Sequence, residues 1–400
     1  MRKTPPFSYL NLFVLKISLG ILLNLLNMLI KELKYSYNDI SIVPAVISQI
    51  NHRHECNPYD ENGFLPIFTA PMSTVVNIEN FDLFEKNKIY PILPRNESLE
   101  IRMDNLLKSK WSAFSLSEFN DLFCNEELYQ TYEKVPKKAL IDVANGHMKC
   151  IYDSVKKAKS LYGDTLKIMI GNIANPETYR ECVKANVDFV RVSIGSGMGC
   201  STTSNTSTHY PIASLIDEII KIKREIIEST NNTNITKIIA DGGIRNFSDV
   251  NKALALGADY VMIGGLFSSL VESCAKTFYY DINDDIVELH PITDDEVFEE
   301  NGIFHYKKNN KIYIINKIYK IFYGMASKNG QIDINGKKTK TSEGLVKTIE
   351  CTTNLYKWVE NMTDYLRSAM SYTNCKTLDE FNKNVNCVLI SNNTFNSVNK

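Results

Sequence analysis

The stretch "KIIADGGIRNFSDVNKALALGADYVMIGG", Lys237 to Gly265, contains two short apolar runs that each close in a glycine pair. Between them Phe247 to Leu256 is amphipathic and long enough for a helical crossover joining parallel strands. The unit repeats along the chain. Similar runs, mostly β-branched, occur as "LPIFTAP" (65–71), "IYPILP" (89–94), "WSAFSL" (111–116), "ALIDVAN" (139–145), "KIMIGNI" (167–173) and "DFVRVSIG" (188–195). Helical patterns separate the later ones, at Lys149 to Tyr162, Pro176 to Ala185 and Ile212 to Glu228. With the runs at 237–243 and 259–265 this makes eight strands, each apolar throughout as a strand covered on both faces must be. The expectation is an α/β fold, a closed (β/α)8 TIM barrel, with its chemistry at the C-terminal strand ends "DVANG", "GNI", "IGSGMGC", "DGG" and "GG".

The chain has 400 residues and is 44% hydrophobic, ample for a barrel of about 250 residues with insertions. A net charge of −1, with Lys and Arg dispersed, leaves no basic face for a nucleic-acid backbone. Nine cysteines form no CxxC pair, which fits a reducing, cytoplasmic setting, and six histidines show no HxxxH or HExxH spacing, so no transition metal is expected.

Phe7 to Ile30 is a largely apolar stretch interrupted by one charge, Lys16, and admits three readings: residues upstream of a true start at Met28, a membrane or interfacial helix, or a helix packed on the domain. Residues 1–32 are therefore set apart from a catalytic domain at 33–390. Within the latter, 281–323 reads as an acidic segment followed by a hairpin turning at Lys308 to Asn310 over the barrel mouth, and 324–350 as an active-site flap. Residues 391–400 read as a frayed polar tail.

Gly242 and Gly243 end one strand, and Gly264 and Gly265 end the next. Bare backbone N–H groups at adjacent strand ends suit a phosphate, and Asp241 suits ribose hydroxyls, so a nucleotide monophosphate is the natural ligand. "GSGMG", Gly195 to Gly199, lacks the spacing of a dinucleotide fingerprint and reads as a mobile loop with inward carbonyls able to hold a monovalent cation. Cys200 at its tip is either an accessible nucleophile or a structural thiol.

"NDISIVP", "LPIFTAPMSTV", "IDVANG", "IGSGMGCSTT", "HYP", "ADGGIRNFSDVNKALALGADYVMIGG", "FYGMAS", "SEG" and "LRSAMSY" occur in the order seen in the IMP dehydrogenase and GMP reductase superfamily, which this chain resembles from about Tyr37 to Leu389. The resemblance implies that Cys200 attacks C2 of the purine to form a thioimidate. It assigns ribose and phosphate to Asp241, Gly242, Gly243, Gly264 and Gly265, and the base to Gly324, Met325 and Ala326 or Ser327. Potassium falls to the carbonyls of Gly195, Gly197 and Cys200, with Thr203 where the family has a further ligand. Asp142, Val143, Ala144, Ile194, Gly195 and Ser368, Ala369, Met370 and Ser371 would line the nicotinamide site, with Arg53 and Arg95 as candidates for the NADPH 2′-phosphate. A homotetramer is implied as well.

Lys328 to Ser342 contains neither Arg nor Tyr, whereas the dehydrogenase activates water with such a pair on its flap, and too little chain separates the second and fourth strands for its regulatory insertion. "KTSEG", with Lys340 at a usual arginine position and with Ser342 and Gly344, resembles the reductase's base-binding segment. Thr202 and Glu343 would then relay a proton to leaving ammonia. "TAPMS" and "LRSAMSY" are closer to the dehydrogenase, and Ser73 replaces an aspartate common to both. The expectation is a GMP reductase-like enzyme using NADPH. The alternatives are an IMP dehydrogenase using NAD, with Lys337, Lys338 or Lys340 activating water, and a membrane-tethered nucleotide-binding pseudoenzyme.

Overall fold

The computed structural model describes residues 32–126, 137–233, 235–280, 285–289, 297–300, 303–308, 311–315 and 317–398. Phe7 to Ile30 lies outside them, and no helix among the described residues is long and apolar enough to cross a membrane.

All eight expected runs form strands: β1 (Ile67–Thr69), β2 (Ile92–Leu93), β3 (Trp111–Phe114), β4 (Lys137–Asp142), β5 (Leu166–Ile173), β6 (Phe189–Val192), β7 (Lys237–Asp241) and β8 (Tyr260–Ile263). They pair in parallel in the order β1-β8-β7-β6-β5-β4-β3-β2. Bonds from Thr69 N to Tyr90 O and from Tyr90 N to Ile67 O, both 2.9 Å, join the two ends of the sheet. The molecule is thus a (β/α)8 barrel. Alternation along β4 sends Leu140 inward, with Phe68, Ile92, Met169, Ile239 and Met262, and Ala139 and Ile141 outward against the helices. Apolar residues on both faces follow from burial on both faces.

The helices are α1 (Phe81–Lys86), α2 (Leu99–Leu107), α3 (Leu116–Phe123), α4 (Lys149–Tyr162), α5 (Thr178–Lys184), α6 (Ile212–Thr230) and α7 (Phe247–Ala255). Helix α4 has the bounds its periodicity predicts. Helix α6 runs two residues past the predicted Glu228, to where Asn231 turns left-handed at φ 53°.

After β8 the chain departs from the simple hairpin expected. Strands β9 (Thr277–Tyr280), β10 (Ile286–Leu289), β14 (Tyr319–Tyr323) and β15 (Val346–Glu350) form one antiparallel sheet, and β11 (Val297–Glu300), β12 (Ile303–Lys308) and β13 (Lys311–Ile315) another. The β12–β13 turn falls where expected, with Lys308 opposite Lys311. Residues 319–323 leave that hairpin because Ile318 and Phe322 are core residues and the Lys320 ammonium is held inside by the carbonyls of Val271 and Ser273, each at 3.0 Å. Most of the acidic segment, 281–284 and 290–296, lies outside the described residues. Helices α8 (Lys328–Asn335) and α9 (Leu355–Tyr372) complete the site-forming elements. The terminal residues expected to fray instead include a short helix, Asn392–Val398, whose Phe395 ring lies 5.9 Å from the Lys252 ammonium. That contact supplies the packing a polar tail was expected to lack.

Lys320 makes a testable contribution. Burial pushes its ammonium down to about 8. The unfolded chain therefore holds this proton more tightly than the folded one, so stability rises with pH from about 8 to about 10.4, and below about 8 the full cost of about 3 kcal/mol is present. Denaturant unfolding of the wild type and Lys320→Met at pH 7.5 and 10 should show the wild type gaining on the variant by about that amount. A constant difference between the two proteins would contradict it.

Candidate active site

Strand β6 delivers the loop that carries Cys200. Ser193 and Gly195 take positive φ values of 120° and 78°, and the chain then meets the segment after α8 in a short ladder. Ser201 N donates to Glu343 O at 2.9 Å, and Leu345 N donates to Gly199 O at 3.0 Å. The loop expected to be mobile is therefore pinned across its tip. Gly199 is needed there, because a Cβ would come 2.9 Å from the Phe322 ring and 3.0 Å from Gly324 N.

This ladder brings Glu343 to Cys200 and Thr202, from 141 residues beyond Thr202 in sequence. The Cys200 thiol donates to Thr202 Oγ1 at 3.2 Å, Thr202 Oγ1 donates to Glu343 Oε2 at 3.0 Å, and Thr202 N lies 3.5 Å from the sulfur. A thiol proton has a continuous path to a carboxylate, and the Thr202 N–H points at the sulfur. Cys200 and Glu343 face a cavity of about 220 Å³ at the C-terminal end of the barrel. Its walls include Asp241, Gly242, Gly243, Gly264 and Gly265 from the last two strands and Gly324, Met325 and Ala326 from the loop after β14.

Lining the same cavity is a residue that sequence reasoning missed, Arg191, which joins two that it named, Asp142 and Asp241. Asp142, Gly171 and Arg191 occupy one row of the β4–β5–β6 pairing. Gly171 leaves room for the guanidinium to cross, since a Cβ there would come 2.4 Å from Arg191 Cβ. Arg191 Nη1 donates to Asp142 Oδ1 at 2.7 Å, and Nε donates to Asp241 Oδ2 at 2.9 Å. Asn172 Nδ2 adds a bond to the same Asp241 oxygen at 2.7 Å. Burial alone would lower the guanidinium, but Asp241 and Asp142 together hold it above its ordinary value. Arg191 thus fixes Asp241 on the cavity wall and ties it to Asp142. The available signal was one charge inside the apolar run "FVRV".

The profile described as IMP dehydrogenase / GMP reductase domain matches residues 133–285. The GMP reductase of Staphylococcus saprophyticus is 27% identical over 371 residues, covering 90% of this chain and 97% of that protein. That of Helicobacter pylori is 27% identical over 376 residues (90% and 98%), and that of Caenorhabditis elegans 26% over 346 (82% of each). Residues 133–285 thus resemble the IMP dehydrogenase / GMP reductase domain, and most of the chain is similar to GMP reductases.

Within this superfamily frame, several sequence expectations need revision. Of the two residues offered for the base, Ala326 lines the cavity, whereas Ser327 is fully buried and its hydroxyl caps α8 by accepting from Gly330 N at 3.1 Å. Lys340, Ser342 and Gly344 do not line the cavity. Lys340 is exposed, Ser342 Oγ bonds the Gly344 carbonyl at 3.0 Å, and Gly344 pairs with Cys200 through the backbone. They frame Glu343 instead. Ser73, at the position of the family aspartate, donates to Asp333 Oδ2 at 2.6 Å, so α8 returns a carboxylate to that place.

The expected nicotinamide residues separate into two groups. Asp142 faces the cavity, and Arg95 Nη1 reaches its carbonyl at 3.3 Å, near Val143 and Ala144. Arg95 Nε is buried without a hydrogen-bond partner among the described residues. Arg53 instead pairs with Asp364 at 2.8 Å and reaches Ser368 Oγ at 3.4 Å on α9. Met370 is fully buried in the core, so its side chain is not available to a cofactor, and the Ser371 carbonyl accepts from Ser48 Oγ. Ala369 is half-buried beside it. Ile194 O accepts from or faces His209 Nδ1 at 3.1 Å.

At the expected cation loop, Gly195 admits Thr203 so closely that any Cβ would collide with Thr203 Oγ1. The Gly197 carbonyl accepts from Cys200 N at 3.0 Å, which leaves a second lone pair. This oxygen-rich turn suits a monovalent cation.

Proposed function

We propose that this chain is a GMP reductase converting GMP to IMP and ammonia with NADPH. The observation that carries the reading is the line from Cys200 through Thr202 to Glu343 on the cavity wall. In this mechanism the thiol proton passes to Glu343 and Cys200 Sγ attacks C2 of the purine. Glu343, through Thr202, then protonates the departing amine, leaving a thioimidate on Cys200. Bound NADPH would supply the hydride to C2, after which departure of the Cys200 thiolate releases IMP. GMP, NADPH and two protons become IMP, NADP⁺ and ammonium.

In this reading Asp241, held by Arg191, accepts from the ribose, and Gly242, Gly243, Gly264 and Gly265, which line the same cavity, receive the phosphate. Arg95 is the better placed of the two arginines for the cofactor, because Arg53 is already paired. Potassium on Gly195, Gly197, Cys200 and Thr203 would brace the cysteine loop. A cytoplasmic homotetramer belongs to the same reading. Lys337, Lys338 and Lys340 are exposed and absent from the cavity wall, which weighs against a dehydrogenase that activates water with them. The intact proton path weighs against a pseudoenzyme.

Absorbance of the reduced nicotinamide tests the reading, with GMP plus NADPH in one reaction and IMP plus NAD in another, each beside Cys200→Ala. The expected result is NADPH loss with GMP, absent in the variant. NADH growth with IMP would instead make the chain a dehydrogenase.

A further inference from the structure

Helix α8 lies between the loop at Gly324–Ser327 and the segment leading to Glu343, and Gln331 is its inward-facing residue, 3% exposed. Its side-chain amide bonds four groups. Oε1 accepts from Thr339 N at 3.0 Å, Lys340 N at 2.9 Å and Thr339 Oγ1 at 3.3 Å, while Nε2 donates to Ala326 O at 3.2 Å. The same Ala326 carbonyl accepts from Glu343 N at 3.0 Å. Both backbone segments that fix the relay carboxylate therefore converge on one glutamine. At the next turn face, Asp333 anchors α8 to the barrel through Ser73 at 2.6 Å and Tyr323 at 2.8 Å.

We propose that Gln331 is the positioning residue for the proton relay, holding Glu343 in reach of Thr202 by clamping residues 339–340 and the Ala326 carbonyl together. The proposal rests on the reductase reading for its effect on turnover, and on geometry alone for its effect on Cys200. Without the amide, Thr339 N, Thr339 Oγ1 and Lys340 N lose a part-buried acceptor, the Ala326 carbonyl keeps only its bond from Glu343 N, and the chain before Glu343 is released. Displacement of a catalytic group by about 1 Å costs on the order of 100-fold in rate.

The test compares Gln331→Met, which keeps the volume and loses every bond, with Gln331→Glu, which keeps the acceptor for the two N–H groups. In Gln331→Met, kcat for GMP should fall about 10- to 100-fold with KM changed less than about threefold. Gln331→Glu should recover most of kcat. Alkylation of Cys200 by iodoacetamide, followed by peptide mass, should slow in Gln331→Met by the same factor as in Glu343→Gln. This second readout needs no substrate, so it stands if the wild type proves inactive on GMP and only the reductase reading fails. Wild-type alkylation kinetics in a folded Gln331→Met, or equal loss in Gln331→Met and Gln331→Glu, would overturn the proposal. Should Gln331→Met not fold, alkylation of Gln331→Glu at the Glu343→Gln rate would also overturn it.

Discussion

Glu343→Gln is expected to lower kcat for GMP reduction by about 100- to 10,000-fold while leaving KM for GMP within about threefold. The substitution preserves shape, and the amide oxygen can still accept from Thr202 Oγ1, now 3.0 Å from Glu343 Oε2. What it removes is the ability to take the thiol proton and return it to the leaving amine. Because both backbone bonds of residue 343 remain, from Ser201 N to its carbonyl and from its N–H to Ala326 O, the fold should be indifferent. Steady-state kinetics beside a thermal melt separate the cases. Loss of activity together with a lowered melting temperature would make Glu343 structural, and retained kcat would remove it from the mechanism.

Arg191→Met should destabilise the protein by about 3–5 kcal/mol and raise KM for GMP more than tenfold. The guanidinium is the shared partner of Asp142 and Asp241, whose side chains are only 20% and 13% exposed. Removing it leaves two carboxylates facing one another in the barrel, and Asp241 loses the bonds that aim it at the substrate. Arg191→Lys should recover the charge without the fork that reaches both acids, and so should fall between wild type and Met. Denaturant unfolding gives the first quantity and kinetics the second. A Met variant of wild-type stability would show that the row Asp142–Gly171–Arg191 is not a buried ion cluster.

The barrel was legible because its strands carry the same instruction on both faces: β4, β6, β7 and β8 read as apolar runs with no polar alternation, which only a sheet covered on both sides explains. The sheets after β8 were legible only in part. Local alternation marks a strand such as Tyr319–Tyr323 but not its partner, and the choice of Val346–Glu350 was made by the burial of Ile318, Lys320 and Phe322. Cys200, Thr202 and Glu343 entered through family resemblance, since no local spacing joins residue 202 to 343. Gln331 and Asp333 escaped for a related reason. Polar residues on a short helix look like solvent contacts until their partners at 326, 339, 340 and 73 are brought to them by the fold. Met370 was misplaced because a motif match carries no information on which side of a helix meets the core.

The account stands on Cys200 acting as the nucleophile within the chain of bonds to Glu343. Its most direct test is to mix the enzyme with GMP and oxidised NADP, so that no hydride is available, quench with acid, and measure both peptide mass and free ammonia. The prediction is a purine nucleotide adduct on the Cys200 peptide with ammonia released in equal amount, neither seen in Cys200→Ala. Conversion of GMP to IMP that persists in Cys200→Ala would contradict it.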